Sequence, residues 1–223
     1  MSYPLKSVTF SARLSIIGTL FYAFVMYVAF AFIQPELDPL YRFGSEYSVG
    51  RMGWLMKLAF YVWSGGLIAL AFAMAKGLDE DSRSTAAIIL FAVGALGVFF
   101  AGVFDSDLQV LNDKPPPLWV EPPASDESNL HSWAGMIGLV SLMIGAGIAS
   151  RRLRLAGKLQ SAYHSLRWLS WLTPVLFIAF ATYFVSIGLA GLGQRIFLAL
   201  MFAWQVIVAW GLGSGAFHRV SNA

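Results

Sequence analysis

Two carboxylates and one imidazole stand near adjacent ends of the third and fourth apolar segments of this sequence. Asp105 and Asp107 follow the third segment, and His131 opens the fourth. These three side chains could form a divalent-metal site, because zinc accepts carboxylate and imidazole ligands and leaves a position for water. A histidine beside a carboxylate could instead carry out acid–base chemistry near neutral pH, or the same groups could simply cap helix ends. The sequence predicts no cofactor, and a divalent metal is the one alternative that these residues leave open.

Lys57 is a charged side chain one turn inside the second apolar segment. An unpaired lysine costs roughly 2.5–3.5 kcal/mol at the centre of a bilayer and less near its surface. Pairing with Asp105 or Asp107, which stand at a compatible depth, would offset this cost, and we favour that interpretation. The alternatives are that the side chain extends outward to the membrane surface, or that its amine binds a substrate.

The two remaining histidines do not extend this cluster. His164 and His218 fall on the opposite side of the predicted membrane from His131. Haem ligation by two histidines needs both rings on facing helices at one depth. The sequence therefore argues against bis-histidine haem and against a three-histidine metal centre.

The segment 105–131 is predicted to be a proline-rich outer loop. It holds five of the nine prolines of the chain, and such runs favour extended polyproline II segments. Loops of this length are often lids or docking surfaces. Trp119 is predicted to be the anchor of the loop, pressing on the membrane interface or on a partner protein. The alternative is a spacer that lies over the helix ends.

The composition defines the elements that must position these side chains. Of the 223 residues, 58% are apolar and 12% are charged, the mean hydropathy is +0.68, and there is no cysteine. Soluble domains average about 25% charged residues, so soluble globular folds, disordered chains and disulfide scaffolds are excluded. The net charge is +3, but the basic residues are scattered in short loops, which excludes a nucleic-acid partner. The chain is predicted to be an all-α, polytopic membrane protein.

Six apolar stretches are long enough to cross a bilayer, which needs about 20 residues per helix. We predict one membrane domain over 1–223 with these six spans: Leu14–Ile33, Trp54–Ala75, Thr85–Phe104, Ser132–Ala149, Trp168–Leu189 and Ile196–Gly213. The first span follows two basic residues, as a signal peptide does, but its apolar run is longer than a typical signal core. We therefore expect it to remain as an anchor. Two long outward-facing loops follow from this division.

The distribution of basic residues predicts the orientation. Ten lysines and arginines fall on one side of the predicted membrane and four on the other, and the richer side is normally cytoplasmic. The ten are Lys6, Arg13, Lys76, Arg83, Arg151, Arg152, Arg154, Lys158, Arg167 and Arg219; the four are Arg42, Arg51, Lys114 and Arg195. We therefore expect a multi-pass protein of the cell (inner) membrane with both termini in the cytoplasm. The basic cluster of Arg151, Arg152, Arg154 and Lys158 is expected to contact anionic lipid headgroups.

Small and polar residues within the spans predict helix contacts. Gly65, Ala69, Ala73 and Gly77 recur at four-residue spacing, which lets another helix approach closely. This stripe favours packing within the chain; a homo-oligomer or a membrane protein partner is the alternative. Gln205, Thr182 and Ser186 are expected to form hydrogen bonds between helices, and Pro174 is expected to kink the fifth span.

Several short motifs lie near the predicted outer ends of the spans. They are Asp38-Pro39, Ser45-x-Tyr47-Ser-x-Gly50-Arg51-x-Gly53-Trp54-Leu-Met56, Gly102-Val-Phe104-Asp-Ser-Asp107, Leu130-His131-x-x-x-Gly135 and Gly193-Gln-Arg195. Over roughly residues 10 to 213, the chain resembles the six-helix bacterial and archaeal membrane family called domain of unknown function 998. The resemblance implies that the matched residues Arg51, Trp54, Asp107 and His131 form one outer polar cluster, to which Lys57 is added by its predicted depth. The activity of that family is unestablished.

Three functions are compatible with these residues. We favour a non-catalytic accessory or binding module whose partners are membrane lipids or another membrane protein, because no complete catalytic set is present in the sequence. The first alternative is an enzyme of the outer leaflet that uses Asp107 and His131, with or without a metal, on a lipid headgroup. The second alternative is a small proton-coupled transporter that uses Lys57 and Asp107 as a charge relay.

Overall fold

A computed structural model describes residues 5–108, 124–155 and 160–216 of the chain. Within these ranges every regular element is helical, and six helices are long and apolar enough to cross a membrane. The elements are α1 (Leu5–Phe24), a π-helical turn (Val25–Ala29), α2 (Phe30–Ile33), a 3₁₀ helix (Gly44–Ser48), α3 (Gly53–Gly77), α4 (Thr85–Val103), α5 (Asp126–Leu155), α6 (Gln160–Ala179), a second π-helical turn (Phe180–Phe184) and α7 (Ala190–Gly213). The protein is therefore an all-α, six-helix membrane protein, as the sequence predicts.

The six long helices form a closed ring. Helix α1 packs on α3, α3 on α4, α4 on α5, α5 on α6, α6 on α7, and α7 returns to α1. Because neighbours alternate in direction, the bundle has two ends. We call the end that carries residues 34–52 and 104–108 the loop face. The opposite end, where α1 begins and α7 ends, is the terminal face; there the Thr9 hydroxyl donates to the Gly213 carbonyl at 3.3 Å.

Two helices begin earlier than the sequence pattern suggests. Helix α5 starts at Asp126, six residues before the predicted fourth span, and α7 starts at Ala190, six residues before the predicted sixth. The first turn of α5 carries Asp126 and Glu127, and acidic side chains stabilise a helix N-terminus. The end of the predicted 105–131 loop is therefore helical. Trp119, the predicted loop anchor, lies outside the described residues.

Glycines bring two pairs of helices into backbone contact. A Cβ atom on Gly97 of α4 would lie 2.5 Å from the Gly138 Cα atom of α5, and one on Gly18 of α1 would lie 3.1 Å from the Gly66 Cα atom of α3. The predicted stripe on α3 is different: Ala69 and its neighbours toward the terminal face are buried, whereas a Cβ on Gly65 would meet nothing within 4 Å. Most of the stripe therefore packs inside the molecule.

The polar residues of the last two spans have unequal roles. The Gln205 Oε1 atom accepts from the Thr19 hydroxyl at 3.1 Å and from the Trp63 indole at 3.0 Å, which confirms the prediction of hydrogen bonds between helices. For Thr182 and Ser186 that prediction is wrong. Each donates to a carbonyl of its own helical segment, because a short hydroxyl side chain reaches the preceding turn more easily than a neighbouring helix.

Pro174 lies inside α6, and a π-helical turn begins six residues later at Phe180. Proline removes one backbone donor, and π turns commonly accompany such irregular stretches of helix. The π turn after α1 occupies the same half of the bundle, toward the loop face. The loop face is thus bordered by two helices with irregular backbone.

Candidate functional site at the loop face

Arg195 organises the loop that joins α2 to α3. It lies in the second turn of α7 and only 8% of it is exposed. Its Nη1 atom donates to the carbonyls of Pro39 at 2.8 Å and Arg42 at 2.9 Å, and its Nη2 atom donates to the Tyr47 hydroxyl at 3.1 Å. A guanidinium has five N–H donors in a fixed fork, so one side chain can hold several turns of loop at once.

A second charged pair lies within the same loop. The Arg42 Nη1 atom lies 2.8 Å from the Glu46 Oε2 atom, and the Glu46 Oε1 atom accepts from the Phe43 amide at 2.9 Å. Glu46 has no exposed surface, and a carboxylate this buried needs both charge and hydrogen-bond partners. The 3₁₀ helix that carries Glu46 is therefore held by polar contacts as well as by packing.

Two glutamines complete this polar core. The Gln34 Nε2 atom donates to the carbonyls of Tyr47 at 3.1 Å and Arg51 at 2.7 Å, and the Gln194 Oε1 atom accepts from the Gly44 amide at 2.7 Å. Burial raises the pKa of the Tyr47 phenol, and Arg195 partly opposes this shift. The phenol therefore remains protonated at neutral pH, which lets it accept from Arg195 while it donates to the Leu37 carbonyl.

Lys57 pairs with Asp105, which confirms the favoured interpretation of this lysine. Its Nζ atom lies 2.7 Å and 2.9 Å from the two carboxylate oxygens of Asp105. The side chains are 32% and 39% exposed, so the pair sits at the edge of the bundle rather than in its core. The Asp105 amide in turn donates to the Glu127 carboxylate at 3.1 Å, which ties the pair to the start of α5.

Asp107 holds Ser125, the residue that caps the N-terminus of α5. Its two carboxylate oxygens accept from the Ser125 amide at 2.8 Å and from the Ser125 hydroxyl at 2.9 Å. The Ser125 hydroxyl in turn accepts from the Ser128 amide at 3.1 Å, one of the first amides of α5, which have no partner within the helix. The Asp107 amide donates to the Ser128 hydroxyl at 3.1 Å, and these contacts explain why α5 begins before the predicted span.

His131 joins α5 to the end of α4. Its Nδ1 atom lies 3.1 Å from the Phe104 carbonyl oxygen, and the carbonyl of Ala101 also interacts with the ring. Because a carbonyl oxygen only accepts, we assign the proton to Nδ1. The Phe60 ring packs edge-to-face at 5.9 Å, and 8% of the residue is exposed. His131 therefore satisfies carbonyls at the C-terminus of α4.

The predicted metal ligands are engaged separately. Asp105 pairs with Lys57, Asp107 holds the cap residue Ser125, and His131 faces the end of α4. Among the described residues, no group of three histidine, aspartate or glutamate side chains is arranged to hold a metal ion. The relay postulated for a transporter is not assembled either, since Lys57 contacts Asp105 rather than Asp107.

The predicted outer polar cluster lies on one face but in separate groups. The Arg51 Nε atom donates to the Ile33 carbonyl at 3.0 Å, at the end of α2. Trp54 is 60% exposed at the start of α3. Lys57 belongs to the pair with Asp105, whereas Asp107 and His131 share a cavity.

That cavity has a volume of about 550 Å³ and opens between α5, the second π turn and the start of α7. We call it the loop-face cavity. Its polar lining consists of Ser45, Ser106, Asp107, Ser128, His131, Ser132 and Gln194, and its apolar lining includes Phe43, Phe180 and Gly135. Small-molecule sites of this size combine apolar walls with a few polar groups in the same way.

The sequence motif Gly193-Gln-Arg195 gives no sign of the role that Arg195 has in holding the loop. Arg195 stands one residue before the predicted sixth span, which makes it one of the loop charges in the sequence. A charged residue inside a membrane helix is a strong sign of a functional or structural site. Arg195 can be recognised as a charge inside a membrane helix only once the start of α7 is known to be Ala190.

Comparison with known proteins identifies a family but no characterised relative. The family described as "Protein of unknown function (DUF998)" matches residues 16–211. No curated protein and no solved structure matches the chain. The match covers most of the sequence and at least part of every long helix of the bundle, and therefore this chain belongs to the DUF998 family, whose function is unknown.

Proposed function

We propose that this protein is a non-catalytic membrane module that binds the headgroup of a lipid in the loop-face cavity. The observation that carries the proposal is the composition of the cavity. Ser45, Ser132 and Gln194, which carry hydroxyl and amide groups, line it together with the aromatic residues Phe43 and Phe180. An amphiphile needs such a surface, with polar groups for the headgroup and apolar groups for the start of the acyl chains.

The charge of the cavity favours one class of headgroup. Its lining contains the carboxylate of Asp107 and no lysine or arginine among the described residues. A bare anion would therefore meet no compensating charge. We infer that the headgroup is uncharged and rich in hydroxyls, as in a glycolipid of diacylglycerol.

Asp107 and His131 both line the cavity, and each also holds helix ends together. A general base needs a lone pair within reach of the substrate, and His131 with its proton on Nδ1 keeps such a lone pair on Nε2. The contacts of these two residues therefore fit a binding role and a catalytic role equally, and the proposal rests on the composition of the cavity.

Gly135 offers a direct test. It lines the cavity, and a Cβ atom there would meet nothing within 4 Å, so Gly135→Leu should fill the cavity without disturbing the fold. Wild-type protein and variant would be reconstituted with a diacylglycerol glycolipid and with phosphatidylcholine, and retained lipid measured by native mass spectrometry. We expect the wild type to retain the glycolipid selectively and Gly135→Leu to lose it.

Gly147→Leu is the matched control. Gly147 lies on the same helix, also has open space around its Cβ position, and lines a different cavity. It should retain the glycolipid as the wild type does. Equal retention by wild type and Gly135→Leu, or no selectivity in the wild type, would overturn the proposal.

The alternative of an outer-leaflet enzyme has one observation in its favour. Ser128 and Ser132 line the same cavity as Asp107 and His131, which places hydroxyls near an acid–base pair. Turnover of the glycolipid that is lost in Asp107→Asn, or a stoichiometric divalent ion lost in His131→Ala, would favour the enzyme. Intact lipid and metal-free protein are the outcomes expected for a binding module.

We further propose that the terminal face is cytoplasmic and that the protein resides in the cell (inner) membrane. Support comes from the excess of basic residues toward that face. We also propose that a membrane protein partner or a second copy of the chain packs against the stripe on α3. The support for this contact is Gly65, where a Cβ atom would meet nothing within 4 Å.

A further inference from the structure

A second cavity lies at the terminal face, between α5 and α6. Its volume is about 590 Å³, and three guanidinium groups line it, those of Arg151, Arg154 and Arg167. We call it the arginine cleft. Arg151 and Arg154 are three residues apart on α5 and therefore share one side of the helix, while Arg167 comes from the facing helix.

In the part of the chain that the structure describes, no acidic side chain compensates the charges of the arginine cleft. Each of the three arginines is exposed, and among the described residues no carboxylate forms a salt bridge with any of them. The Arg154 guanidinium instead lies over the Tyr163 ring, 5.4 Å from its centre. Three arginines that line one cavity, with no counter-ion among the described residues, are suited to a phosphate group, which arginine binds with paired hydrogen bonds.

The other wall of the cleft is apolar. Ile144, Ile148, Trp171 and Pro174 line it, and Trp171 is 67% exposed. Helix α6 is the least buried of the six spans, with 22% of its apolar window inside the molecule. The apolar wall is therefore continuous with a helix face that meets the hydrocarbon of the membrane.

The depth of the cleft agrees with the position of a headgroup. Along α5, Arg151 stands twenty residues after His131, which corresponds to about 30 Å of helix. The hydrocarbon core of a bilayer is also about 30 Å thick. With His131 at one membrane surface, the guanidiniums lie at the other.

We propose that the arginine cleft binds one anionic phospholipid. Its phosphate contacts Arg151, Arg154 and Arg167, and one acyl chain lies along Ile144, Ile148 and Trp171. The uncompensated charge accounts for the phosphate, and the adjoining apolar wall accounts for the chain. This site is separate from the loop-face cavity and takes a headgroup of different charge.

Replacing the arginines one at a time tests the charge. Arg151→Gln, Arg154→Gln and Arg167→Gln would each be placed in nanodiscs that contain phosphatidylglycerol and phosphatidylcholine, and bound lipid counted by native mass spectrometry. A basic side chain near the membrane surface contributes about five-fold to anionic-lipid affinity. We expect about a five-fold loss of bound phosphatidylglycerol for each variant.

Arg152→Gln is the control, because it removes the same charge from a position outside the cleft. Arg152 is exposed in the same helical turn but does not line the cleft. If the lipid occupies the cleft, Arg152→Gln retains it at the level of the wild type. If Arg152→Gln loses as much lipid as Arg151→Gln, the attraction is spread over the whole terminal face and the proposal is wrong.

Gly147→Leu separates a lipid from a free phosphate ion. Gly147 lines the cleft and has open space for a side chain, so leucine there displaces an acyl chain and leaves the arginines in place. We expect Gly147→Leu to lose phosphatidylglycerol and Gly135→Leu to keep it. Binding that survives in Gly147→Leu and is matched by inorganic phosphate would overturn the proposal. Thermal unfolding of each variant verifies that it is folded.

Discussion

At the scale of single residues, the buried charges of the loop face each have several partners, although the Nε atom of Arg195 has none among the described residues. Arg195 satisfies backbone carbonyls of the loop 37–47, and Glu46 is neutralised by Arg42. A polar group removed from water is costly until it is hydrogen-bonded. The path of this loop is consequently tied to one side chain of α7, which lies far away in the sequence.

Arg195→Gln should release the loop. The shorter amide cannot reach the carbonyls of Pro39 and Arg42 together with the Tyr47 hydroxyl, and each acceptor left without a partner costs about 1–3 kcal/mol. We expect a loss of about 3 kcal/mol in thermal unfolding and new proteolytic cleavage between 37 and 47. Arg51→Gln, an exposed arginine at the same face, should leave the loop resistant; equal cleavage in both variants would contradict the assignment.

The pair of Lys57 and Asp105 should contribute little to stability. Because both side chains are about one-third exposed, water screens their attraction, and exposed pairs contribute roughly 0.2–1 kcal/mol. A double-mutant cycle of Lys57→Met and Asp105→Asn should give a coupling energy in that range. A coupling of several kcal/mol would mean that the pair is shielded from water by lipid or by a partner.

At the scale of elements, glycine decides which helices touch along their backbones. The α4–α5 contact has Gly97 facing Gly138, and the α1–α3 contact has Gly18 facing Gly66. Helices in lipid associate through such close contacts because burial of apolar side chains gives them little advantage over the lipid chains. The four-residue spacing of Gly65, in contrast, coincides with a surface where a side chain has room.

Gly97→Ala should therefore be far more damaging than Gly65→Ala. A methyl group on Gly97 would lie 2.6 Å from the Ala134 carbonyl oxygen, and forcing helices apart costs typically about 1–3 kcal/mol. The midpoint of thermal unfolding in detergent should fall clearly for Gly97→Ala and stay near the wild type for Gly65→Ala. Equal midpoints would show that α4 and α5 are not in backbone contact.

At the scale of the whole molecule, the ring of six helices keeps two different cavities at opposite ends. The loop-face cavity contains a carboxylate and hydroxyls, whereas the arginine cleft is basic. Helix α5 borders both, and its length of 30 residues corresponds to about 45 Å. This arrangement supports two lipid sites of different charge in opposite leaflets.

The orientation of the ring can be measured by cysteine labelling, since the chain has no cysteine of its own. Glu36 is exposed at the loop face and Glu80 at the terminal face. In intact cells, a membrane-impermeant maleimide should label Glu36→Cys. It should label Glu80→Cys only after the membrane is permeabilised. The reverse pattern would place the terminal face outside and exchange the leaflets of the two proposed sites.

Hydropathy and charge in the sequence alone determined the six spans and the all-helical class, and they favoured pairing of Lys57 with an aspartate at its own depth. These properties depend on distance along one helix, because a bilayer requires a set length of apolar residues and a nearby partner for each charge. The family resemblance likewise follows from short motifs of neighbouring residues, which can be recognised without a structure.

Only the tertiary structure decided what the polar residues contact. The roles of Arg195 and His131 depend on loop and helix ends that are distant in sequence, and hydrogen bonds act over about 3 Å. The sequence could place Asp105, Asp107 and His131 on one face, but the separate partners of each were set by where α4 ends and α5 begins. The two cavities arise for the same reason, since a gap between helices is a property of the packed ring.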